Sequence, residues 1–475
     1  MFNRDRALVL VLLCYLVGFL AFPVRALLVL DESEYVTQAL AFAHGRATLP
    51  GATPLVTPRH SLVSSYYAPG TSLLQTPLVA VAGWRAAAAL SVIALVVASL
   101  VTARWLRDNG YDGRFALLIP ANFAVLFFGR TAMSDVPSAA ITSLSLWLLW
   151  RAERREWLTS FMAGACAGLS LLFRETNIVL LAPLYLGAFA RRKCVPWAVL
   201  MGGLAGIAAR LVISRALFGD ALFVRAPGYG FSLHSVPINL PQYAVILLLM
   251  FPLGAVLPFF YRGPRRAEAV TAVAVYVMLF LLYEYNSARE NGPVKGLVLS
   301  ARFMIPALPL LTLMAADVFR RWAAHTGATR AWARRLGAVA LGCLMVTAFA
   351  IHAAVHMQER AQVDLVRAFY EHTTPDVPLV TNHNATLKYL SPVYGIRTII
   401  SRSKTSADDV PRLVTQYGRL NIVFLDRMDS EMFREDAQRN DNFLASLSPR
   451  CAILPVYESR QGSSRLRVFG VNRCT

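Results

Sequence analysis

The segment "RALVLVLLCYLVGFLAFPVRALLVLDESEY", from Arg6 to Tyr35, decides the fold, because an apolar run long enough to cross a membrane ends directly in charge. Asp31, Glu32 and Glu34 follow the apolar run within four positions. Charge at the end of a hydrophobic helix is costly, so such groups usually face a polar cavity or pair with one another. The segment therefore predicts a membrane helix that delivers carboxylates to one face of the membrane.

The composition of the whole chain supports the membrane class. Of its 475 residues, 56% are hydrophobic and only 16% are charged, and the mean hydropathy is +0.48. A water-soluble protein of this length could not bury so much apolar sequence. Pro23 and Arg25 stand where a signal peptide would be cleaved, so the first span is predicted to be a retained anchor. The sequence predicts about eleven spans, near residues 8–24, 84–103, 115–128, 136–150, 158–173, 177–190, 196–218, 242–261, 267–284, 302–319 and 336–354.

The net charge of +19 is unevenly distributed between the two sides of these spans. Alternate loops are short and rich in arginine, namely "NRDR", "ARWLRDNGYDGR", "RAERRE", "RRK", "YRGPRR" and "RRWAAHTGATRAWARR". This positive-inside pattern predicts a multi-pass membrane protein with a cytoplasmic N-terminus and a C-terminal tail on the outer side of the membrane. Basic loops that face anionic membrane lipids account for the charge, so no nucleic-acid partner is expected.

Two domains are predicted. Residues 1–354 form the membrane domain, with a first exterior loop at 25–83, and residues 355–475 form a small α/β domain outside the cytoplasm. In the tail the β-rich runs "VPLVTN", "IRTII" and "LNIVFLD" alternate with helical ones, which predicts a partly parallel sheet. A final hairpin would place Cys451 opposite Cys474, and spacing alone leaves open whether they form a disulfide.

Further charged residues are predicted at the outer ends of later spans. Because they share one side and one depth with the acidic segment, they suit an acid or base working beside an anion held by guanidinium groups. They are Arg130 and Asp135 in "FFGRTAMSDVPS", Arg174 and Glu175 in "LLFRETN", and Arg289, Glu290 and Arg302 in "YNSARENGPVKGLVLSARF".

Each of these residues also has a structural interpretation. Asp31 could cap its helix, and the two glutamates beside it could be a solvated helix start. Arg130 and Asp135 could form an ion pair that pins a short loop. Arg174 could extend from a helix end toward the membrane interface, and His60 could pack within its loop.

The order of these motifs resembles that of the GT-C membrane glycosyltransferases, above all the protein O-mannosyltransferases and the lipid A aminoarabinose transferases. The resemblance rests on "D-E-x-x-Y" after the first span, a long exterior loop, "R-x-x-x-x-D", "LLFRETNIVLLAP" and "SARFMIPALPLLTLMAA", and it covers most of residues 1–320. One departure is Glu34, which stands where those relatives often carry a basic residue.

The resemblance implies a GT-C-like fold in the inner membrane of a bacterium, with the C-terminal domain in the periplasm. It also implies transfer of a sugar, with inversion, from a dolichyl- or undecaprenyl-phosphate carrier to a lipid, glycan or protein acceptor on the periplasmic face. Asp31 would be the general base, and Glu32 and Asp135 would complete the catalytic set. Arg174 and Arg302 would hold the lipid phosphate. The implied substrate-binding residues are Arg130, Arg174, Arg302 and Tyr35.

The cofactor requirement and a rival function stay open. No cofactor is predicted, although the carboxylates of Asp31, Glu32 and Asp135 could hold a hard divalent cation. A transporter or flippase of an amphipathic, lipid-linked substrate would also carry charge within the membrane, but transporters often show paired repeats, which this sequence lacks. An inactive scaffold whose tail binds envelope partners is a third interpretation.

Overall fold

A computed structural model describes the chain except for residues 1–5, 50–54, 57–60, 153–155, 192–196, 225–229, 252–253, 287–292, 327–329, 383–397, 403–404, 428–430, 462–463 and 475. His60, Arg289 and Glu290, which the sequence singled out, lie outside the described residues. In chain order the α-helices are α1 (Arg6–Ala21), α2 (Leu30–Ala43), α3 (Gly70–Ala82), α4 (Ala89–Asp108), α5 (Phe123–Phe128), α6 (Asp135–Ala152), α7 (Trp157–Leu169), α8 (Asn177–Arg191), α9 (Trp197–Phe218), α10 (Ser235–Val245), α11 (Leu257–Phe260), α12 (Arg266–Leu282), α13 (Pro293–Ala301), α14 (Leu308–Thr326), α15 (Arg330–Glu371), α16 (Val410–Tyr417) and α17 (Glu431–Leu447).

The chain divides into two compact units, and its last division, between Val355 and His356, lies one residue from the predicted boundary. The first unit contains Met1–Pro23, Val56–Ser61 and Tyr66–Val355, and the second contains Val24–Leu55, Leu62–Ser65 and His356–Thr475. The acidic segment and α2 therefore belong to the same unit as the tail, although the sequence assigned them to the membrane domain.

The first unit is built of helices, several of which present apolar side chains to their surroundings. Leu13, Val17 and Leu20 on α1 are 51%, 57% and 67% exposed, as expected of residues that face lipid. By contrast, most of α6 is buried, so this helix lies inside the unit. Within the described part of the chain, four helical runs are long and apolar enough to cross a membrane: Trp84–Asp108, Trp197–Phe218, Gly296–Ala324 and Gly337–Met357.

Two predicted spans have different limits in the structure. The span predicted at 115–128 is broken into a 3₁₀ turn, Gly113–Leu118, and the six-residue helix α5. Pro120 lies in the break, and the Asn122 side chain caps α5 by accepting a hydrogen bond from the Ala124 amide at 2.9 Å. The span predicted to end at residue 354 continues as α15 to Glu371, because hydropathy detects the lipid boundary and not the end of a helix.

Helices α7 and α9 approach each other through glycines at four-residue spacing. Gly164 and Gly168 on α7 face Gly202 and Gly206 on α9. A Cβ atom added at Gly164 would collide with the carbonyl of Val199. Small residues at this spacing let two membrane helices pack backbone against backbone, which replaces the hydrophobic driving force that is missing in lipid.

We expect Gly202→Ala to lower the free energy of unfolding by about 2–3 kcal/mol, at the upper end for an overpacked site. The added Cβ would meet the backbone carbonyl of Phe161, which cannot move unless the helices separate. Thermal unfolding of the purified full chain in detergent measures the effect. Gly203→Ala is the matched control, because its nearest neighbour would be the Gly164 carbonyl oxygen at 3.9 Å. Equal stability of the two variants would contradict the close approach.

The tail folds as the sequence predicted, as a small α/β layer whose sheet is partly parallel. Two short strands, β1 (Leu55–Val56) and β2 (Leu62–Val63), precede it in the chain. The five-stranded sheet has the order β4-β3-β5-β7-β6. Its strands are β3 (Leu379–Thr381), β4 (Ile399–Ser401), β5 (Leu420–Arg427), β6 (Cys451–Gln461) and β7 (Ser464–Cys474), of which β3, β4 and β5 run parallel to one another and β7 pairs antiparallel with both β5 and β6.

Strand β5 carries apolar residues on both faces, as a central strand should. Val423 and Leu425 pack with Val363, Val366 and Phe369 of α15 on one face of the sheet. On the other face, alternate residues of β5 pack against α16 and α17; this cluster contains Ile422, Phe424, Val410, Val414, Phe443 and Leu447. The C-terminal part of α15 is therefore a core element of the second unit.

Cys451 and Cys474 form the disulfide that spacing left open, at paired positions of β6 and β7. The bond closes a loop across a sequence separation of 23 residues. We expect replacement of both cysteines by alanine to lower the free energy of unfolding of the tail by about 3 kcal/mol. Hydrogen exchange of the β6 and β7 amides in the full chain measures this change. Cys343→Ala, at an exposed free cysteine, is the control, and unchanged protection without the disulfide would contradict the expectation.

Candidate active site

Two arginines share one aromatic ring in the first unit. A 3₁₀ turn, Arg302–Ala307, connects α13 to α14 and places the Phe303 ring beside both side chains. The guanidinium carbons lie 5.3 Å (Arg174) and 5.0 Å (Arg302) from the centre of that ring. Cations near an aromatic ring are attracted by its electrons, most strongly when water is excluded. The arrangement therefore concentrates two positive charges at one half-buried position.

Asp135 joins this cluster through Arg174. It is the first residue of α6 and is 1% exposed. The Arg174 guanidinium donates to one oxygen of the Asp135 carboxylate, and among the described residues the other carboxylate oxygen has no hydrogen-bond partner. The structure thus brings together three of the residues that the sequence predicted for the site.

Neighbouring polar side chains hold the three residues in place. Ser138, one turn after Asp135, donates to the Asn177 side chain at 2.8 Å, and Asn177 donates to the Ser170 carbonyl at 3.0 Å. Thr142 donates to the carbonyl of Pro306 in the 3₁₀ turn at 3.2 Å. These bonds tie α6 to the segments that carry Arg174 and Arg302, so the cluster is pre-organised.

Aromatic side chains border these residues, and the sequence contains little indication of them. The Tyr276 hydroxyl donates to the Phe303 carbonyl at 3.0 Å. Phe280 stacks on Phe303 with ring centres 5.1 Å apart, and Tyr243 stacks on Phe280 with ring centres 6.2 Å apart. Only Phe303 had a sequence signal, since it follows the arginine of the late motif. The tyrosines belong to spans that carry no recognised motif.

Arg130 lies apart from this cluster in its contacts. Its side chain is 1% exposed, and it donates to the carbonyls of Phe22, at 3.0 Å, and His352, at 2.9 Å. The ion pair described for Asp135 is with Arg174, not with Arg130 as the structural interpretation of the short loop expected. Its two partners are backbone carbonyls from segments far apart in the chain, which favours a structural role for Arg130. Its predicted part in substrate binding stays a prediction.

The predicted acidic residues lie in the second unit, at the start of α2. Val29 is the N-cap, so Asp31 is inside the first turn and is not the cap. Glu32 is 2% exposed, and its carboxylate accepts hydrogen bonds from the amides of Leu28, at 2.7 Å, and Val29, at 3.0 Å. Glu32 is therefore a buried cap of the helix start, not a solvated residue.

Asp31 itself is partly exposed, and the Tyr35 side chain, one turn later, is 3% exposed. That this segment shares a cavity with Arg302 stays a prediction. Among the described residues, no group of three His, Cys, Asp or Glu side chains could hold a metal ion. The divalent cation stays a prediction as well.

Comparisons with known proteins place the fold. No protein-family model matches the sequence, and no curated protein matches it significantly. Among solved structures, ArnT from Cupriavidus metallidurans bound to undecaprenyl phosphate has a TM-score of 0.61 at 16% identity and matches 98% of each chain. The same protein in the apo state has a TM-score of 0.60 at 16% identity, over 97% of each chain. The predicted resemblance is thus confirmed in its architecture: this chain has the fold of ArnT, a lipid A aminoarabinose transferase of the GT-C type.

Proposed function

We propose that the protein is a glycosyltransferase that moves a sugar from a polyprenyl-phosphate donor to a hydroxyl group of a cell-envelope acceptor. The observation that carries the proposal is the half-buried pair Arg174 and Arg302 around Phe303, in a fold that matches an undecaprenyl-phosphate-bound transferase over 98% of the chain. Guanidinium groups are well suited to phosphate because their planar fork matches its oxygens.

The reaction is a single displacement. The acceptor hydroxyl oxygen forms a bond to the anomeric carbon of the sugar, and the bond from that carbon to the phosphate oxygen breaks. The electron pair of the broken bond stays on the polyprenyl phosphate, which leaves with an added negative charge. Arg174 and Arg302 stabilise this charge where it develops. Attack opposite to the leaving group inverts the anomeric configuration.

Asp31 takes the proton of the attacking hydroxyl group, as a general base. Glu32 caps the helix start next to it and so fixes the backbone that carries Asp31. Asp135 keeps Arg174 oriented toward the phosphate through their ion pair. Tyr35, buried one turn beyond Asp31, lines the acceptor side.

We place the reaction on the periplasmic face of the inner membrane. The positive-inside pattern supports this side for the acidic segment and the tail. The disulfide between Cys451 and Cys474 supports it independently, because disulfides persist in oxidising compartments.

The test uses the purified full chain and a panel of radiolabelled undecaprenyl-phosphate sugars, with envelope lipid, glycan and protein fractions as acceptors. The expected result is transfer of label from at least one donor, with an inverted anomeric linkage in the product. A linkage with retained configuration would contradict the single displacement. Absence of transfer across the panel, together with movement of the labelled donor across vesicles that contain the protein, would establish the transporter instead.

A further inference from the structure

The chain passes between the two units at several points. Two of these points lie at or within helices of the first unit. One is between Pro23 and Val24, just after α1, and the other is between Val355 and His356, inside α15. The first leads directly to the start of α2 and to Asp31. The side chains that hold these two segments decide how firmly the backbone of Asp31 is anchored.

Within the first unit, Arg130 binds the chain just before each of these two points, at Phe22 and at His352. Its guanidinium donates to the carbonyl of Phe22, the residue after α1, and to the carbonyl of His352 in α15. The two helices also pack directly around it: the rings of Phe22 and Phe349 are 5.2 Å apart, and the rings of Tyr15 and His352 are 4.6 Å apart. Burial of a guanidinium group within a membrane helix bundle is costly, which indicates that these bonds have a task.

Within the second unit, Glu359 holds the same two segments together again. It lies on α15 and is 1% exposed, and its carboxylate accepts a hydrogen bond from the Arg25 amide at 3.1 Å. The next residue of that segment, Ala26, is 1% exposed and packs in one apolar cluster with Val363 and Val366 of α15. The segment from Phe22 to Asp31 is therefore held at Phe22 by Arg130, at Arg25 by Glu359 and at its end by Glu32.

We propose that Arg130 and Glu359 are positioning residues of the transfer reaction, which hold the segment leading to Asp31 against α15. The proposal rests on the proposed function, because it assigns the anchoring to the general base of that reaction. Catalytic groups must be held to within fractions of an ångström, so a loosened backbone lowers the rate of the chemical step more than it lowers substrate binding. In this proposal Arg130 does not touch the substrate.

The experiment compares Arg130→Met, Arg130→Lys and Glu359→Met with the unchanged full chain. The methionine variants keep an unbranched chain but remove the groups that make the hydrogen bonds; methionine matches glutamate in length and is shorter than arginine. We expect each of them to lower kcat at least tenfold, to change the Kd for undecaprenyl phosphate less than twofold, and to speed amide exchange in residues 22–32 at least tenfold. Arg130→Lys should recover part of the rate, since an ammonium group also donates to carbonyls. Arg104→Gln, which removes only a helix-surface ion pair to Asp108, is the matched control.

Each other outcome decides against the proposal. Unchanged exchange in residues 22–32 would show that the segment is held by other groups. Faster exchange with an unchanged kcat would show that the anchoring does not serve the reaction. A parallel loss of undecaprenyl-phosphate affinity would make Arg130 a substrate-binding residue. If the unchanged protein transfers no sugar, the proposed function fails, and the exchange measurement still decides whether the two side chains hold the segment.

Discussion

Replacing Asp31 by asparagine should reduce the rate of sugar transfer by about 10²–10⁴-fold, the range that a positioned general base contributes. An asparagine amide has nearly the same size as the carboxylate but cannot take the proton of the acceptor hydroxyl. The backbone should keep its position, because the helix start is capped by Glu32 and not by Asp31. The substitution should therefore lower kcat and leave the affinity for undecaprenyl phosphate unchanged.

Glu34→Gln is the matched control for this prediction. It removes a carboxylate from the same turn of α2, and Glu34 has no part in the proposed mechanism. Initial rates with the donor that the unchanged protein accepts best, and the Kd for undecaprenyl phosphate from thermal shift, measure the two effects separately. Equal rates for Asp31→Asn and the unchanged protein would remove Asp31 from the mechanism.

Replacing Arg302 by glutamine should reduce kcat by about 10²–10³-fold, the effect typical of losing one group that stabilises transition-state charge. Arg302 opens the 3₁₀ turn, and its guanidinium lies 5.0 Å from the Phe303 ring. The leaving phosphate gains its charge only as the bond breaks, so the interaction is stronger in the transition state than with the bound donor. Affinity for the donor should fall by a smaller factor than kcat.

Two variants make the Arg302 result specific. Arg302→Lys keeps the positive charge but loses the planar fork, so it should recover only part of the rate. Arg320→Gln is the matched control, because Arg320 also lies beside an aromatic ring, 4.4 Å from the centre of Tyr111, outside the proposed site. Kinetics at varied donor concentration separate kcat from KM. Equal losses for Arg302→Gln and Arg320→Gln would show a general effect of lost charge and contradict the assigned role.

Much of the architecture could be predicted because its causes are local in the sequence. Lipid contact requires runs of apolar residues, so hydropathy located apolar helices, four of which are long enough among the described residues to cross a membrane. The count of eleven spans stays a prediction. The strands of the tail showed the expected apolar runs, and Cys451 and Cys474 were placed correctly opposite each other because hairpin pairing follows from chain spacing. The break in the span at 115–128 was missed, because that span was predicted as continuous, although Pro120 and the capping residue Asn122 both stand in it.

The rest depends on contacts between residues far apart in the chain. The motif order grouped Asp135, Arg174 and Arg302 as site residues, but it could not show that Arg174 pairs with Asp135 and shares the Phe303 ring with Arg302. Likewise, nothing in the sequence near Arg130 indicates that its partners are the carbonyls of Phe22 and His352. Backbone carbonyls leave no residue-specific signal in the sequence.

The unbroken helix α15 has a consequence for how this chain can vary. His352 lies against α1, and Val363 lies in the core of the tail, on the same helix. The helix turns about 100° per residue, so the eleven steps from His352 to Val363 make three turns with roughly 20° left over. One inserted residue would rotate one partner away from its contacts by about 100°. Apart from the buried Val355 and Glu359, the stretch between them should therefore accept substitutions more readily than insertions or deletions, because an insertion or deletion changes the helical phase.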